Sequence, residues 1–226
     1  MAYIFFGGMM VLLFLLSRHI TKTISHLLTR LFRSQSGAIY TLSFLFLPGV
    51  VLHELSHLFA ANILFVPTGE VEFFPEIHGN SVKMGSVAVA RTDPLRRFLI
   101  GVAPILGGFG GMFLAAGYLQ GGVFLWKDVL LTYVLFQIGN TMFASKKDME
   151  GALGFFVSVF VVGGVLEIVK IPVLEALVRF FATNTAQSFF YHLDFFLALA
   201  IATDIAMSVF LLGVAFATRF MDNRSD

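Results

Sequence analysis

The sequence predicts an all-α polytopic membrane protein of about six transmembrane helices with one β-hairpin. Of its 226 residues, 58% are hydrophobic and only 13% are charged, which is about half the charged fraction of a soluble domain. The chain has 28 Phe and 21 Gly, and Gly is more frequent in membrane helices than in soluble ones. Several apolar runs reach the ~20 residues that a helix needs to cross the hydrocarbon core. We therefore expect an integral, multi-pass protein, with the cell membrane as its location.

Six apolar runs supply the predicted spans, at residues 2–16, 38–65, 98–119, 123–144, 151–169 and 189–218. The basic segment 17–36 has leucines at helical spacing, which predicts either an amphipathic helix at the membrane interface or an ordinary connecting helix. The same two interpretations apply to residues 172–188. A chain of this length is too short to carry a further soluble domain, so we expect one domain over residues 1–226, with its functional core at about 38–169.

The stretch after the second predicted span differs from its surroundings. Residues 70–74 alternate between polar and apolar, residues 78–80 are typical of a turn, and residues 82–90 are rich in β-branched and small side chains. This pattern predicts a β-hairpin over residues 70–90. An open strand edge there could hold an extended peptide by main-chain hydrogen bonds; a plain surface hairpin is the alternative.

Composition also limits the chemistry. The chain has no cysteine, which excludes disulfides, thiolate metal sites and a cysteine nucleophile. The formal net charge is +1, and no motif indicates nucleic-acid binding. Any metal must be held by histidine and carboxylate, and the expected surroundings are the lipid bilayer.

The pentapeptide His53-Glu54-Leu55-Ser56-His57 lies in residues 37–66, which contain no Lys or Arg. On a helix the side chains of His53 and His57 project from the same face, one turn apart, as two zinc ligands require. Glu54 lies beside that face and could serve as the general base. The alternative is a chance match, which would keep three ionisable groups at membrane depth without a purpose.

Two histidines leave zinc short of a third protein ligand. The candidates are Asp148, Glu150, Glu167, Asp194 and Asp204. A carboxylate is favoured because Zn²⁺ with two neutral histidines, one Asp and ionised Glu54 sums to zero charge, which is the cheapest state in a low dielectric. Asp204 lies inside the last predicted span, and the sequence suggests no partner for it.

These motifs resemble those of the site-2 protease family of intramembrane zinc metalloproteases. That family has HExxH in one membrane helix and a later Asn-x2-Pro-x4-Asp-Gly segment whose Asp is the third zinc ligand. In this chain Asn140 and Asp148 keep the same spacing, while Phe143 replaces the Pro and the Gly is displaced to Gly151. The resemblance covers about residues 47–151.

A second family segment, Gly-Pro-x2-Asn, falls on residues 103–107, where both flanking residues differ. The resemblance implies a divergent, short member with a three-helix catalytic core. It implies zinc held by His53, His57 and Asp148, and cleavage of membrane-spanning protein or peptide substrates. Asn140 could then donate a hydrogen bond to the developing oxyanion, or it could bond another helix instead.

Two other functions fit the same residues. A catalytically silent relative would keep the metal site and act as a membrane binding module, which the altered Asp-Gly and Gly-Pro segments would suit. A membrane zinc protease of the prenyl-protein type would take Glu167 as its third ligand. The sequence predicts neither the oligomeric state nor the membrane orientation.

Overall fold

The structure is a computed structural model that describes residues 2–78, 81–83, 85–118, 126–143, 145 and 147–222. Seven helices make up most of the described chain: α1 (Ala2–Phe32), α2 (Gln35–Ile63), α3 (Pro94–Tyr118), α4 (Trp126–Thr141), α5 (Ala152–Ile168), α6 (Val173–Ala182) and α7 (Asn184–Asp222). Four short strands lie between α2 and α3: β1 (Thr68–Glu72), β2 (Glu76–His78), β3 (Ser81–Lys83) and β4 (Ser86–Val89). A 3₁₀ turn, Asp148–Gly151, precedes α5.

Within the described residues, five helices are long and apolar enough to cross a membrane: α1, α2, α3, α5 with the turn before it, and α7. This confirms the predicted helical class and indicates a membrane protein, with five such helices where about six were expected. The difference lies in the predicted span 123–144, where α4 has only 16 residues, fewer than the ~20 of a typical span. Residues 119–125, just before α4, lie outside the described residues.

The basic segment 17–36 is not a separate interfacial helix, because α1 continues unbroken to Phe32. Ile20 and Ile24 in this segment are buried against α2. The chain turns at Arg33, whose φ is 49°. Ser34 lies just before α2, and its hydroxyl oxygen accepts a hydrogen bond from the main-chain N–H of Gly37 at 3.2 Å. This is a normal N-cap.

The predicted hairpin is present directly after α2. β1 pairs antiparallel with β4, and β2 pairs with β3 inside the same hairpin. The turn predicted at residues 78–80 falls partly on residues 79 and 80, which lie outside the described residues. Among the described strands β4 has β1 as its one neighbour, so no described strand pairs with its other edge.

Helices α2, α3 and α4 pack pairwise. Lipid tails are as apolar as leucine, so close van der Waals packing rather than hydrophobic burial holds membrane helices together. Two glycines of these helices provide that closeness: a Cβ on Gly49 would collide with Thr141, and one on Gly107 would collide with Ser56. The outer helices α1 and α7 pack against α3 and α4 through fully buried side chains such as Leu13 and Leu197. The packing of α2 between α3 and α4 places the HExxH segment inside the bundle.

Candidate metal centre

His53, His57 and Asp148 converge into one cluster, which we call the His-His-Asp group. The two Nε2 atoms lie 3.2 Å apart. The Asp148 carboxylate lies with Oδ1 3.3 Å from His57 Nε2 and Oδ2 3.6 Å from His53 Nε2. All three ligand atoms are within 4.8 Å of one another, so the group could hold a metal ion.

Backbone carbonyls on both sides of α2 orient the two imidazoles. His53 Nδ1 donates to the carbonyl oxygen of Thr141, the last residue of α4, at 2.6 Å. His57 Nδ1 donates to the carbonyl oxygen of Ile100 in α3 at 2.8 Å. A carbonyl oxygen can only accept, so each Nδ1 carries the proton and each Nε2 of a neutral ring presents a lone pair. Outer contacts of this kind are typical of histidines that bind metals.

Asp148 reaches the histidines because its segment lies directly on α3. A Cβ on Gly101 would overlap the carbonyl oxygen of Asp148, so only glycine allows this approach. The carboxylate is held from its own turn, since the main-chain N–H of Ser145 donates to Oδ2 at 2.6 Å. The Ser145 hydroxyl oxygen in return accepts from the main-chain N–H of Asp148 at 3.3 Å.

The geometry of the group fits a tetrahedral cation. Two nitrogen lone pairs and a carboxylate face one another in a partly buried site, which is unfavourable unless a positive charge lies between them. Two ligands at ~2.0–2.1 Å from a tetrahedral ion lie ~3.3–3.4 Å apart. The separation of 3.2 Å between the two Nε2 atoms is close to that spacing, and each carboxylate oxygen of Asp148 lies 3.3 or 3.6 Å from one of these nitrogens. The donor set of two imidazoles and one carboxylate is one that zinc accepts.

Glu54 lines the same cavity as the His-His-Asp group, and its side chain is buried. A Cβ on Gly85, just before β4, would lie 3.0 Å from Glu54 Oε1, so the hairpin packs directly against this carboxylate. The position beside the histidines is the one that the HExxH spacing predicts for a general base. That catalytic role stays a prediction.

The cavity has a volume of about 500 Å³, within the range of ~300–1,000 Å³ that is usual for ligand pockets. Its walls come from α1, α2, α3, the last turn of α4, β4 and the segment that carries Asp148. Arg97 and Lys147 also line it. The cavity therefore combines apolar helix faces with charged and polar side chains.

The other carboxylates considered as third ligands lie elsewhere among the described residues. Glu150 forms an ion pair with Arg97 at 2.6 Å. Glu167 accepts a hydrogen bond from the main chain at the start of α6, and Asp194 is buried in α7. The structure brings Asp148, and not Glu167, to the histidine pair.

The side chain of Asn140 forms a hydrogen bond with another helix, which is the second of the two roles that the sequence allows for it. Its Nδ2 donates to the carbonyl oxygen of Phe136 at 2.8 Å and to Asp204 Oδ1 at 2.7 Å. Both amide hydrogens are therefore used, and the donor that an oxyanion would need is committed to α7. The catalytic role of Asn140 stays a prediction that this geometry does not support. The sequence did not predict the pairing of Asn140 with Asp204, although both are polar residues in separate apolar runs and each needed a partner.

Replacing Gly101 by Ala is expected to lower the affinity for a divalent metal roughly tenfold or more, since overpacking of this kind costs typically 1–3 kcal/mol. The added methyl group must displace the Asp148 segment from the histidines. Gly110→Ala in the same helix is the matched control, because a Cβ there meets nothing within 4 Å. Metal titration of both variants checks this, and equal affinities would show that the close approach at Gly101 is not needed.

No protein-family model, no curated protein and no solved structure matches the chain. The resemblance to the site-2 protease family therefore stays a prediction. What the chain does has to be inferred from the chemistry of the His-His-Asp group, Glu54 and their cavity.

Proposed function

We propose that the chain is a zinc-dependent intramembrane endopeptidase of the site-2 protease type, which hydrolyses peptide bonds of membrane-spanning proteins or peptides. One observation carries the proposal. Two histidine nitrogens and a carboxylate converge beside a buried glutamate in one cavity, and the histidines and the glutamate lie on a helix long and apolar enough to cross a membrane. Ionisable groups inside such a helix are costly and are kept chiefly for function.

Zinc is the metal that this ligand set favours. Three protein ligands from His and carboxylate side chains, with one position open, form the usual catalytic zinc site. The chain has no cysteine, so a closed thiolate site of the structural type is excluded. The two positive charges of Zn²⁺ would balance the negative charges of the Asp148 and Glu54 carboxylates, which suits a site of low dielectric.

Zinc in such a site acidifies water and polarises a carbonyl group. The residues of the chain supply the rest of the chemistry. The Glu54 carboxylate accepts the proton of the attacking water and then delivers it to the nitrogen of the leaving amine. The Nδ1 hydrogen bonds of His53 and His57 hold both rings in one tautomer, and the Asp148 carboxylate balances positive charge.

Strand β4 is suited to hold the substrate in extended form. A peptide bond inside a helix is shielded, so the substrate must unwind before water can attack it. The N–H of Ala90 donates to Pro67 on the β1 side at 3.0 Å. Because hydrogen bonding alternates along an antiparallel strand, the N–H groups of Val87 and Val89 point away from β1. Both residues line the cavity, so an added strand would lie beside the His-His-Asp group.

Val87→Pro and Val89→Pro are each expected to slow cleavage about 2- to 10-fold, the scale of one lost main-chain hydrogen bond. Zinc should stay bound, because neither residue is a ligand. Val87→Ala and Val89→Ala are the matched controls, since they shorten the side chain and keep the N–H donor. Cleavage rates and zinc content decide the outcome. Equal cleavage rates in the proline and alanine variants would show that the hairpin does not hold the substrate through these N–H groups.

The proposed function is tested on the purified 226-residue chain in detergent or vesicles. We expect one zinc per chain and cleavage of a transmembrane model peptide, with the activity lost on chelation and restored by added Zn²⁺. A protein that binds no zinc would contradict the proposal. A protein that binds zinc stoichiometrically but cleaves no member of a panel of transmembrane peptides would instead be the silent binding module.

A further inference from the structure

The strongest unexplained feature outside the His-His-Asp group is a buried polar pair between α4 and α7. Asp204 has no exposed surface, and its Oδ1 accepts from Asn140 Nδ2 at 2.7 Å. Asp204 Oδ2 and Asn140 Oδ1 are both buried without a hydrogen-bond partner among the described residues. A carboxyl group inside an apolar helix is costly, so the pair calls for a role beyond filling space.

Asn140 is also held from a third helix. The hydroxyl of Ser17 in α1 donates to the carbonyl oxygen of Asn140 at 3.0 Å, and Ser17 is buried. Asn140 thus links the last turn of α4 to α7 through its side-chain amide and to α1 through its main-chain carbonyl.

The residue after Asn140 orients a histidine of the His-His-Asp group. The last four carbonyl groups of a helix have no partner within the helix, so outside groups must satisfy them. At the end of α4, two of these carbonyl groups have such partners. The Asn140 carbonyl oxygen accepts from the Ser17 hydroxyl, and the Thr141 carbonyl oxygen accepts from His53 Nδ1 at 2.6 Å. The direction of the Thr141 carbonyl therefore depends on what holds this last turn.

We propose that Asp204 is a positioning residue for the metal centre. Through Asn140 it fixes the end of α4, so that the Thr141 carbonyl holds the His53 imidazole with Nε2 toward His57 and Asp148. The path crosses one side-chain hydrogen bond, one peptide unit and one hydrogen bond to the ring. This inference rests on the proposed zinc site, and it assigns to α7 a part in zinc binding although α7 supplies no ligand.

The test compares variants of Asp204 in the 226-residue chain with two readouts. The first is zinc affinity, measured by competition with a chelator. The second is the ¹⁵N spectrum of the histidine rings in metal-free protein in alkaline buffer, with the His53 signals assigned from their loss in His53→Gln. In the wild type we expect His53 to be protonated at Nδ1 only. In Asp204→Ala we expect a mixture of both tautomers and a zinc affinity lowered roughly 10- to 100-fold, the usual effect of losing an outer contact.

Two further variants separate positioning from general stability. Asp204→Asn keeps an acceptor for Asn140 Nδ2 and adds a donor for Asn140 Oδ1, so it should retain wild-type affinity and tautomer. The exchange Asn140→Asp with Asp204→Asn keeps one carboxyl and one amide and should recover most of the affinity, even if Asp204→Ala does not fold. The matched control is Asp194→Ala, which removes another buried carboxyl group of α7 and should change neither readout.

The outcomes distinguish this inference from the proposed function. Wild-type zinc affinity and an unchanged His53 tautomer in Asp204→Ala would overturn the positioning role and leave the zinc site intact. Equal losses in Asp194→Ala and Asp204→Ala would also overturn it, because α7 would then act only by general packing. A wild-type protein that binds no zinc would contradict the proposed function, while the tautomer of His53 would still decide whether Asp204 orients this ring.

Discussion

Glu54→Gln is expected to reduce the rate of peptide cleavage by roughly 10²-fold or more, which is the scale of lost general acid–base catalysis. The amide keeps the size and much of the hydrogen bonding of the carboxylate, but it cannot accept the proton of water at neutral pH. Zinc should stay bound, because Glu54 is not one of the three residues whose ligand atoms converge. Cleavage of a transmembrane peptide and zinc content, both measured on the purified variant, check this expectation.

Glu70→Gln in β1 is a suitable control for Glu54→Gln. It removes a carboxylate from an exposed position of the hairpin and should leave both cleavage and zinc content unchanged. Cleavage by Glu54→Gln at the wild-type rate would contradict the proposed mechanism. Loss of zinc from Glu54→Gln would instead make Glu54 part of the metal site.

Asp148→Ala is expected to lose zinc almost completely. With the carboxylate removed, two histidine ligands remain where a zinc site needs three protein ligands. The loss of affinity should exceed the ~10- to 100-fold effect of removing an outer contact. Elemental analysis of the purified variant, supported by zinc titration, measures the loss.

Glu167→Ala is the matched comparison for Asp148→Ala, because Glu167 is the third ligand in the alternative of the prenyl-protein type. Glu167 lies at the end of α5 and bonds the start of α6, so its removal should leave zinc bound. Full zinc occupancy in Asp148→Ala together with zinc loss in Glu167→Ala would reverse the assignment.

Several features of this protein could be predicted from local patterns in the sequence. The four-residue spacing of His53 and His57 places both rings on one helix face, and Glu54 follows from the same short segment. The hairpin was predictable because alternation and turn residues act over a few neighbouring positions. Charge balance favoured a carboxylate as the third ligand, the resemblance to the site-2 protease segment singled out Asp148, and the structure brings it to the histidines.

Other features depended on how the helices pack. The sequence suggested no partner for Asp204, and an oxyanion role for Asn140 was one of two possibilities. The tertiary structure joins these two residues across α4 and α7. It also supplies the carbonyl groups of Thr141 and Ile100 to the histidine rings. Backbone carbonyls occur at every residue, so no residue type marks the ones that point at a site.

The sequence by itself determined the helical class, the HExxH face and the supply of carboxylates, because helical periodicity and charge balance are local or additive properties. Only the tertiary structure decided that α1 runs through most of the basic segment without a break, that Gly101 admits the Asp148 segment and that Asp204 bonds Asn140 near the end of α4. The reason is physical: a buried polar atom or a glycine contact is defined by whatever lies across the helix interface. That neighbour is set by the packing of several helices together and not by the pattern within any one of them.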